Sequence, residues 1–154
     1  MVCRVSSLEI STQLMNIRRI LRLDFLPRNP DAGLLVLRLS LGLSMLFLHG
    51  WSKFTGFGAM SGKFADPFGV GPSASLAMAV FAEVVCALLL ALGLFTRFAA
   101  AMLAVTMAVA FFIVHKGALS GPGSGELAFV YLAGYVALLI AGPGRYSLDA
   151  KMGG

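Results

Sequence analysis

One apolar stretch, Leu37 to Lys53, constrains the fold most, because it can enter a bilayer and yet carries Arg38, His49 and Lys53. On a helix with 100° per residue, these side chains fall within one stripe about 80° wide. An ionisable side chain at the centre of a membrane costs about 2.5–3.5 kcal/mol and seldom faces lipid. We therefore expect this stripe to face the interior of a helical bundle. Two further residues share it, Gly42 and Met45.

The composition predicts an all-α membrane protein. Of the 154 residues, 58% are hydrophobic and only 12% are charged, whereas a soluble domain has about 25% charged residues. The net charge of +5 does not indicate a nucleic-acid partner. Much of it precedes the first apolar segment, where basic residues set membrane orientation. The arginines concerned are Arg4, Arg18, Arg19, Arg22 and Arg28.

Four apolar segments predict a four-transmembrane-helix bundle. The expected spans are about residues 33–49, 73–95, 98–114 and 126–141, and Gly50 is expected to allow a turn after the first. Ser73 or Ser75 is expected to cap the second span.

Each span is expected to present a stripe of small residues, which let transmembrane helices approach closely. Glu83 in the second span shares its stripe with Ala79, Ala87 and Ala91. Glu126 is expected to open the fourth span, whose face continues through Val130, Ala133, Ala137 and Ala141.

Polar segments flank the membrane domain, which is expected to cover residues 33–150. Residues 1–32 form a basic tail, in which residues 13–25 separate apolar from basic side chains. That pattern suits a helix on an anionic membrane surface, and a disordered tail is the alternative. No cleaved signal peptide is expected. Residues 151–154 form a C-terminal tail.

The basic residues place both termini in the cytoplasm by the positive-inside rule. This orientation brings several ionisable side chains to the outer half of the bundle. They form a predicted polar pocket made of His49, Lys53, Glu83, His115 and Glu126. Arg38 and Arg97 are read as structural charges at the cytoplasmic end, where Arg38 can snorkel.

The predicted pocket allows several roles. Glu83 can be a structural residue that holds two helices together by pairing with Lys53 or His49. Alternatively, it can transfer protons or contact a quinone. His49 and His115 stand at similar depth on different spans, as two haem ligands would. Histidines at span ends are commonly interfacial, however, so haem is disfavoured. Quinone stays a candidate cofactor. No metal site is predicted. The aromatic loop, residues 54–72, is expected to rest at the membrane surface, and a substrate lid is the alternative.

Three blocks follow one another along the chain: the run from Arg38 to Lys53 ending in HGxxK, the sequence AEVVCALLLALGLFTRFAA (82–100), and GPGRYSLD (142–149). Together these blocks resemble the DoxX family of small membrane proteins. The resemblance covers about residues 33–150 and implies a four-helix, multi-pass protein of the bacterial inner membrane. Four residues match the family pattern: His49, Lys53, Glu83 and Arg97.

The family takes its name from a membrane subunit associated with thiosulfate:quinone oxidoreductase. The resemblance therefore implies a subunit of a quinone-linked thiol or thiosulfate oxidoreductase complex, with the lipid bilayer and an oxidoreductase subunit as partners. Cys3 and Cys86 form no CxxC and are expected to be independent thiols, so a partner would supply any sulphur chemistry. A non-enzymatic scaffold or assembly factor is the alternative, and a small transporter is less favoured. A homo-oligomer stays open.

Overall fold

The computed structural model describes residues 15–153, and within that range all regular secondary structure is helical. Three helices are long and apolar enough to cross a membrane. They are α1 (Pro30–Thr55), α2 (Pro72–Leu92) and α3 (Thr96–Val114). The shorter apolar helix α4 (Glu126–Ala141) follows.

Shorter helical segments flank and connect these four. Residues 15–21 are helical and their side chains are exposed, while residues 1–14, including Cys3 and Arg4, lie outside the described range. Phe57–Met60 is a single turn in the loop between α1 and α2, and Leu148–Lys151 closes the chain.

Helix α1 is longer than the first predicted span. The Asn29 side chain accepts a hydrogen bond from the Ala32 N–H at 3.0 Å and caps its start, and Pro30 occupies the first turn, where no N–H is needed. The turn expected at Gly50 is wrong. The helix continues through Gly50 to Thr55, because Gly50 is needed for close packing rather than for chain reversal.

Each of the three long helices contains a π-helical turn. These turns cover Met45–Gly50 in α1, Phe81–Cys86 in α2 and Val109–Val114 in α3. A π turn bonds i to i+5 and locally changes the direction in which side chains point, and such turns are frequent at functional sites.

The four helices pack with alternating directions. Gly42 of α1 meets the backbone of Ala87, where a methyl group would lie 2.8 Å from the Ala87 carbonyl oxygen. Ala87 and Ala91 are buried, so the small-residue face of α2 lets the two backbones touch. Helix α3 completes this core beside α1 and α2, because its Ala99, Ala100 and Leu103 are also buried.

The inward face of α4 differs from the predicted one. Glu126 and its small-residue face are exposed; that face consists of Val130, Ala133, Ala137 and Ala141. The buried side chains are instead Tyr131, Tyr135 and Leu138. The tyrosine rings fill the space beside α1 and their hydroxyl groups find acceptors there, which alanine cannot do.

Arg38 does not snorkel, which corrects the expectation from sequence. It is fully buried, and one guanidinium nitrogen donates to the Tyr146 carbonyl at 2.6 Å while the other lies 3.4 Å from the Leu90 carbonyl. Backbone carbonyls within reach satisfy both terminal nitrogens, so the guanidinium does not extend to water. Arg38 therefore ties α1 and α2 to residues 142–149, here called the closing segment.

Asp149 in the closing segment caps the start of α3. Its two carboxylate oxygens accept the N–H groups of Phe95 at 2.8 Å and Thr96 at 2.9 Å, and its own N–H donates to the Gly93 carbonyl at 2.9 Å. Gly93 has a φ of +72° and packs directly on the Arg38 guanidinium, so a side chain there would collide with it.

Candidate functional site

A buried ion pair joins α1 to α2. The Lys53 ammonium donates to a Glu83 carboxylate oxygen at 2.5 Å. The Lys53 side chain retains 20% of its exposure and that of Glu83 only 6%. Among the described residues two ion pairs form, and this is the buried one; Arg28 and Asp24 make an exposed pair.

Glycine brings the two helices close enough for this pair. A methyl group at Gly50 would lie 2.4 Å from the Glu83 carbonyl oxygen, so only glycine allows this approach. Lys53 stands less than one helical turn further along α1. Its side chain therefore reaches Glu83 without crossing a wide gap.

The ion pair lies in the wall of a cavity of about 570 Å³. Most of the lining is apolar. It comes from α2, α3 and the loop before α2, with polar contributions from Lys53, Glu83, Ser75 and Thr106. The Thr106 hydroxyl already donates to the Met102 carbonyl at 2.9 Å. The Lys53–Glu83 pair is therefore the charged feature of an otherwise apolar chamber.

The loop before α2 forms one wall of the cavity. Four of its residues line the chamber: Phe64, Ala65, Pro67 and Phe68. Asp66 fixes this wall to the start of α2, because its carboxylate accepts the Ser75 hydroxyl at 2.8 Å and the Gly71 N–H at 2.8 Å. The Ser75 hydrogen bond, helped by backbone N–H groups, lowers the pKa of Asp66. Neither Ser73 nor Ser75 caps α2, because Gly71 is its N-cap residue.

His49 faces a different neighbour from Lys53. Its ring meets that of Tyr131 edge to face, with centroids 5.7 Å apart and planes at 88°. The Tyr131 hydroxyl donates to the Ser44 hydroxyl at 2.8 Å, and Tyr135 donates to the Leu41 carbonyl at 3.3 Å. His49 thus belongs to the contact between α1 and α4.

The two remaining members of the predicted pocket lie elsewhere. His115 stands just beyond α3, where its Nδ1 lies 2.7 Å from the Gly123 carbonyl oxygen and holds the loop before α4. Glu126 is exposed. The five residues predicted to meet thus separate into the Lys53–Glu83 pair, an aromatic contact at His49, a loop contact at His115, and an exposed carboxylate.

Sequence reasoning missed several residues of the site. Tyr131 reads as an ordinary apolar position of the fourth span, and only packing shows that it meets His49. Asp66 was detectable, because an aspartate followed by Pro67 and two glycines is a turn signal. Arg97, predicted as a structural charge, is exposed and donates to the Ile140 carbonyl at 3.3 Å near the end of α4.

A sequence model of the DoxX family matches residues 33–116, more than half of the chain. The chain belongs to the DoxX family. The match includes α1 from residue 33 onward, all of α2 and α3, and both members of the Lys53–Glu83 pair, whereas the closing segment lies beyond it.

This DoxX protein also resembles an uncharacterized protein of Haemophilus influenzae. The two are 39% identical over 116 residues, which cover 70% of this chain and 81% of that protein. No solved structure matches the chain. Family membership and the apolar helices make this a membrane protein in contact with the lipid bilayer.

Proposed function

We propose that this DoxX protein is the membrane subunit of a quinone-linked oxidoreductase complex whose partner subunit oxidises a thiol or thiosulfate. The observation that carries the proposal is the buried Lys53–Glu83 pair in the wall of an apolar cavity of about 570 Å³. Small-molecule sites are typically apolar chambers of about 300–1,000 Å³ with a few convergent polar groups. A quinone has the matching chemistry, with a ring bearing two carbonyl oxygens on an apolar tail.

Lys53 supplies the hydrogen-bond donors for such a ring. An ammonium group has three N–H donors, and Glu83 takes one of them. A quinone carbonyl can accept another without breaking the ion pair. The charge on Lys53 then stabilises the negative charge that develops on this oxygen as electrons arrive.

Glu83 supplies the proton chemistry. Reduction of a quinone to a quinol takes two electrons and two protons, and each carbonyl oxygen ends as a hydroxyl. In this proposal the partner subunit delivers the two electrons. Lys53 gives one proton to the nearer oxygen and is reprotonated from solvent through Glu83, and the other oxygen takes its proton from water. Cys86, the one cysteine within residues 15–153, is a buried thiol. The sulphur substrate is therefore assigned to the partner.

The proposal includes a placement in the bacterial inner membrane. Residues 33–150 form the membrane domain, α1, α2, α3 and the shorter α4 all cross, and both termini are cytoplasmic. Helix α4 has 16 residues, about 24 Å at 1.5 Å per residue, so it crosses where the bilayer is locally thinner than about 30 Å. Its alternating direction relative to α1 and α3 supports a fourth crossing.

The basic helix before α1 lies on the cytoplasmic surface in this arrangement. At 100° per residue, three of the four apolar side chains of residues 15–21 lie on one side, and the arginines lie on the other side together with Met15. The apolar side carries Ile17, Ile20 and Leu21, and the basic side carries Arg18, Arg19 and the following Arg22. Such a helix binds anionic lipid through both faces.

The experiment that tests the function measures bound quinone. Protein purified in a mild detergent is extracted with solvent and its quinone is quantified, and affinity for added quinone is measured in lipid nanodiscs. We expect Glu83→Gln to bind at least tenfold more weakly, because about 1.4 kcal/mol of lost interaction gives that factor. Glu126→Gln, a carboxylate removed from an exposed position, is the control. A wild-type protein that binds no quinone contradicts the proposal.

A scaffold role is the second candidate. Several large apolar side chains of α1 are exposed near the Lys53 end, where a partner helix can pack: Phe47, Leu48, Trp51 and Phe54. If Glu83→Gln lowers the abundance of a co-purified partner while quinone content stays as in the wild type, this role is favoured over the quinone role.

A further inference from the structure

The cavity is closed on one side and open on another. On the closed side, Asp66 fixes the loop through Ser75, Gly71 and the Val70 N–H at 3.1 Å. The Ser73 hydroxyl adds a bond to the Ser61 carbonyl at 3.3 Å. Phe64 and Pro67 of this loop therefore form a held wall between the cavity and the end of the bundle.

The open side lies between α2 and α3. Where α3 contacts α2, it does so mainly along residues 81–92, and the two helices diverge from there towards the Lys53 end. The cavity occupies this wedge, and both of its edges carry apolar side chains that are lining and exposed at once. They are Met78 and Phe81 on α2, and Val105 and Val114 on α3.

These exposed edges belong to membrane-spanning segments, so the space outside them is acyl chain and not water. Val105 lies nine residues into α3, about 14 Å from its first residue at 1.5 Å per residue, which is close to the middle of a bilayer core of about 30 Å. A water-soluble substrate would have to pass either the held loop or the bilayer core.

We infer that the cavity is loaded sideways from the lipid phase, through the opening between α2 and α3. Its substrate class is then a membrane-dissolved amphiphile, with an acceptor headgroup at Lys53 and an apolar tail that leaves past Phe81 and Val105. This inference rests on the proposed function for the identity of the headgroup. The route itself rests on the wedge and on the loop held by Asp66.

The route can be tested without any ligand. A nitroxide spin label is attached to Ala79→Cys, a cavity-lining position, in a chain without its two native cysteines, and the protein is placed in nanodiscs. We expect frequent collisions with oxygen, which dissolves in lipid, and few with a water-soluble nickel complex. Ala133→Cys, exposed on α4, is the lipid-facing control. Accessibility to nickel that exceeds accessibility to oxygen at position 79 would overturn lateral loading, whether or not quinone binds.

The substrate class is tested by changing the opening. We expect Val105→Trp to weaken binding of a long-tailed quinone at least tenfold and to leave a tail-less quinone of the same ring unchanged. Val136→Trp, on the exposed part of α4 away from the cavity, should bind both as the wild type does.

The outcomes separate the two proposals. Unchanged binding of the long-tailed quinone to Val105→Trp overturns lateral loading while the quinone function stands. Absence of binding of either quinone to the wild type overturns the quinone function, and the spin-label result then decides the route alone.

Discussion

Gly50 of α1 rests directly on the backbone carbonyl of Glu83 in α2, where a methyl group would come within 2.4 Å of the oxygen. This contact sets the distance between the two helices at the level of the ion pair. At this distance between the helices, the Lys53 side chain is long enough for its ammonium group to contact the Glu83 carboxylate. A glycine and a lysine three residues apart thus act together, the first by bringing the backbones close and the second by neutralising the charge.

Gly50→Ala should therefore destabilise the protein. The added methyl meets backbone rather than a movable side chain, and overpacking of this kind costs about 1–3 kcal/mol. Thermal unfolding in detergent measures the loss. Gly58→Ala is the matched control, because a methyl group there meets nothing within 4 Å. Equal melting temperatures for the two variants would contradict the close approach of α1 and α2.

Removal of one member of the Lys53–Glu83 pair should cost more than removal of both. Lys53→Met leaves a buried carboxylate without its counter-charge, which costs about 3–5 kcal/mol in typical buried pairs. Lys53→Met combined with Glu83→Leu leaves no charge and should recover most of that loss. Unfolding free energies of the two single variants and the double variant give the coupling. Lys63→Met, at an exposed loop position, serves as control, and additive losses would mean that the pair does not form.

The stripe along α1 predicted which side chains are buried, but it did not predict which residues they contact. Gly42 and Met45 are buried, as the stripe predicts, because the period of 3.6 residues holds along the first part of α1. The π turn at Met45–Gly50 then changes the helical register, so His49 turns to Tyr131 while Lys53 turns to Glu83. A sequence pattern read at 100° per residue contains no sign of such a turn.

Other parts of the fold were predictable to different degrees. The helices α2, α3 and α4 lie within a few residues of the apolar segments 73–95, 98–114 and 126–141, because apolar runs between turn signals set helix length. The face of α4 that packs into the bundle was not predictable from the sequence. Small residues occupied one face and tyrosines another, and both patterns occur at helix contacts in membranes.

Arg38 should tolerate neither loss nor replacement by lysine. One guanidinium nitrogen donates a hydrogen bond to the Tyr146 carbonyl, and the other donates to carbonyls of α2. A lysine ammonium cannot reproduce this planar, forked geometry. We expect Arg38→Lys to lower the free energy of unfolding by about 1–3 kcal/mol, because buried carbonyl oxygens are then left without a hydrogen-bond donor. Faster hydrogen exchange or proteolysis in the closing segment reports it directly. Arg28→Lys, at an exposed arginine, should change neither, and an unaltered closing segment in Arg38→Lys would argue against the tie.

Asp149 should make stability depend on pH in the acidic range. Partial burial alone would raise the pKa of this carboxyl, but the N–H groups of Thr96 and Phe95 and the charge of Arg38 outweigh it, so the pKa lies below its ordinary value of 3.8. A carboxyl with a depressed pKa in the folded state stabilises fully above its unfolded pKa, and this contribution disappears as pH falls through the folded pKa.

We therefore expect the wild type to lose stability as pH falls from about 5, just above the usual carboxyl pKa of about 4, through the depressed pKa of Asp149. Asp149→Asn should be less stable at pH 7 by about 1 kcal/mol, the usual value of a helix cap, and should lose less on acidification. Unfolding at a series of pH values gives both curves. The Asp66 carboxyl, which also has a lowered pKa, contributes in the same direction, so Asp149→Asn is compared in an Asp66→Asn background as well. Parallel curves for the wild type and Asp149→Asn would show that the carboxylate does not hold the start of α3.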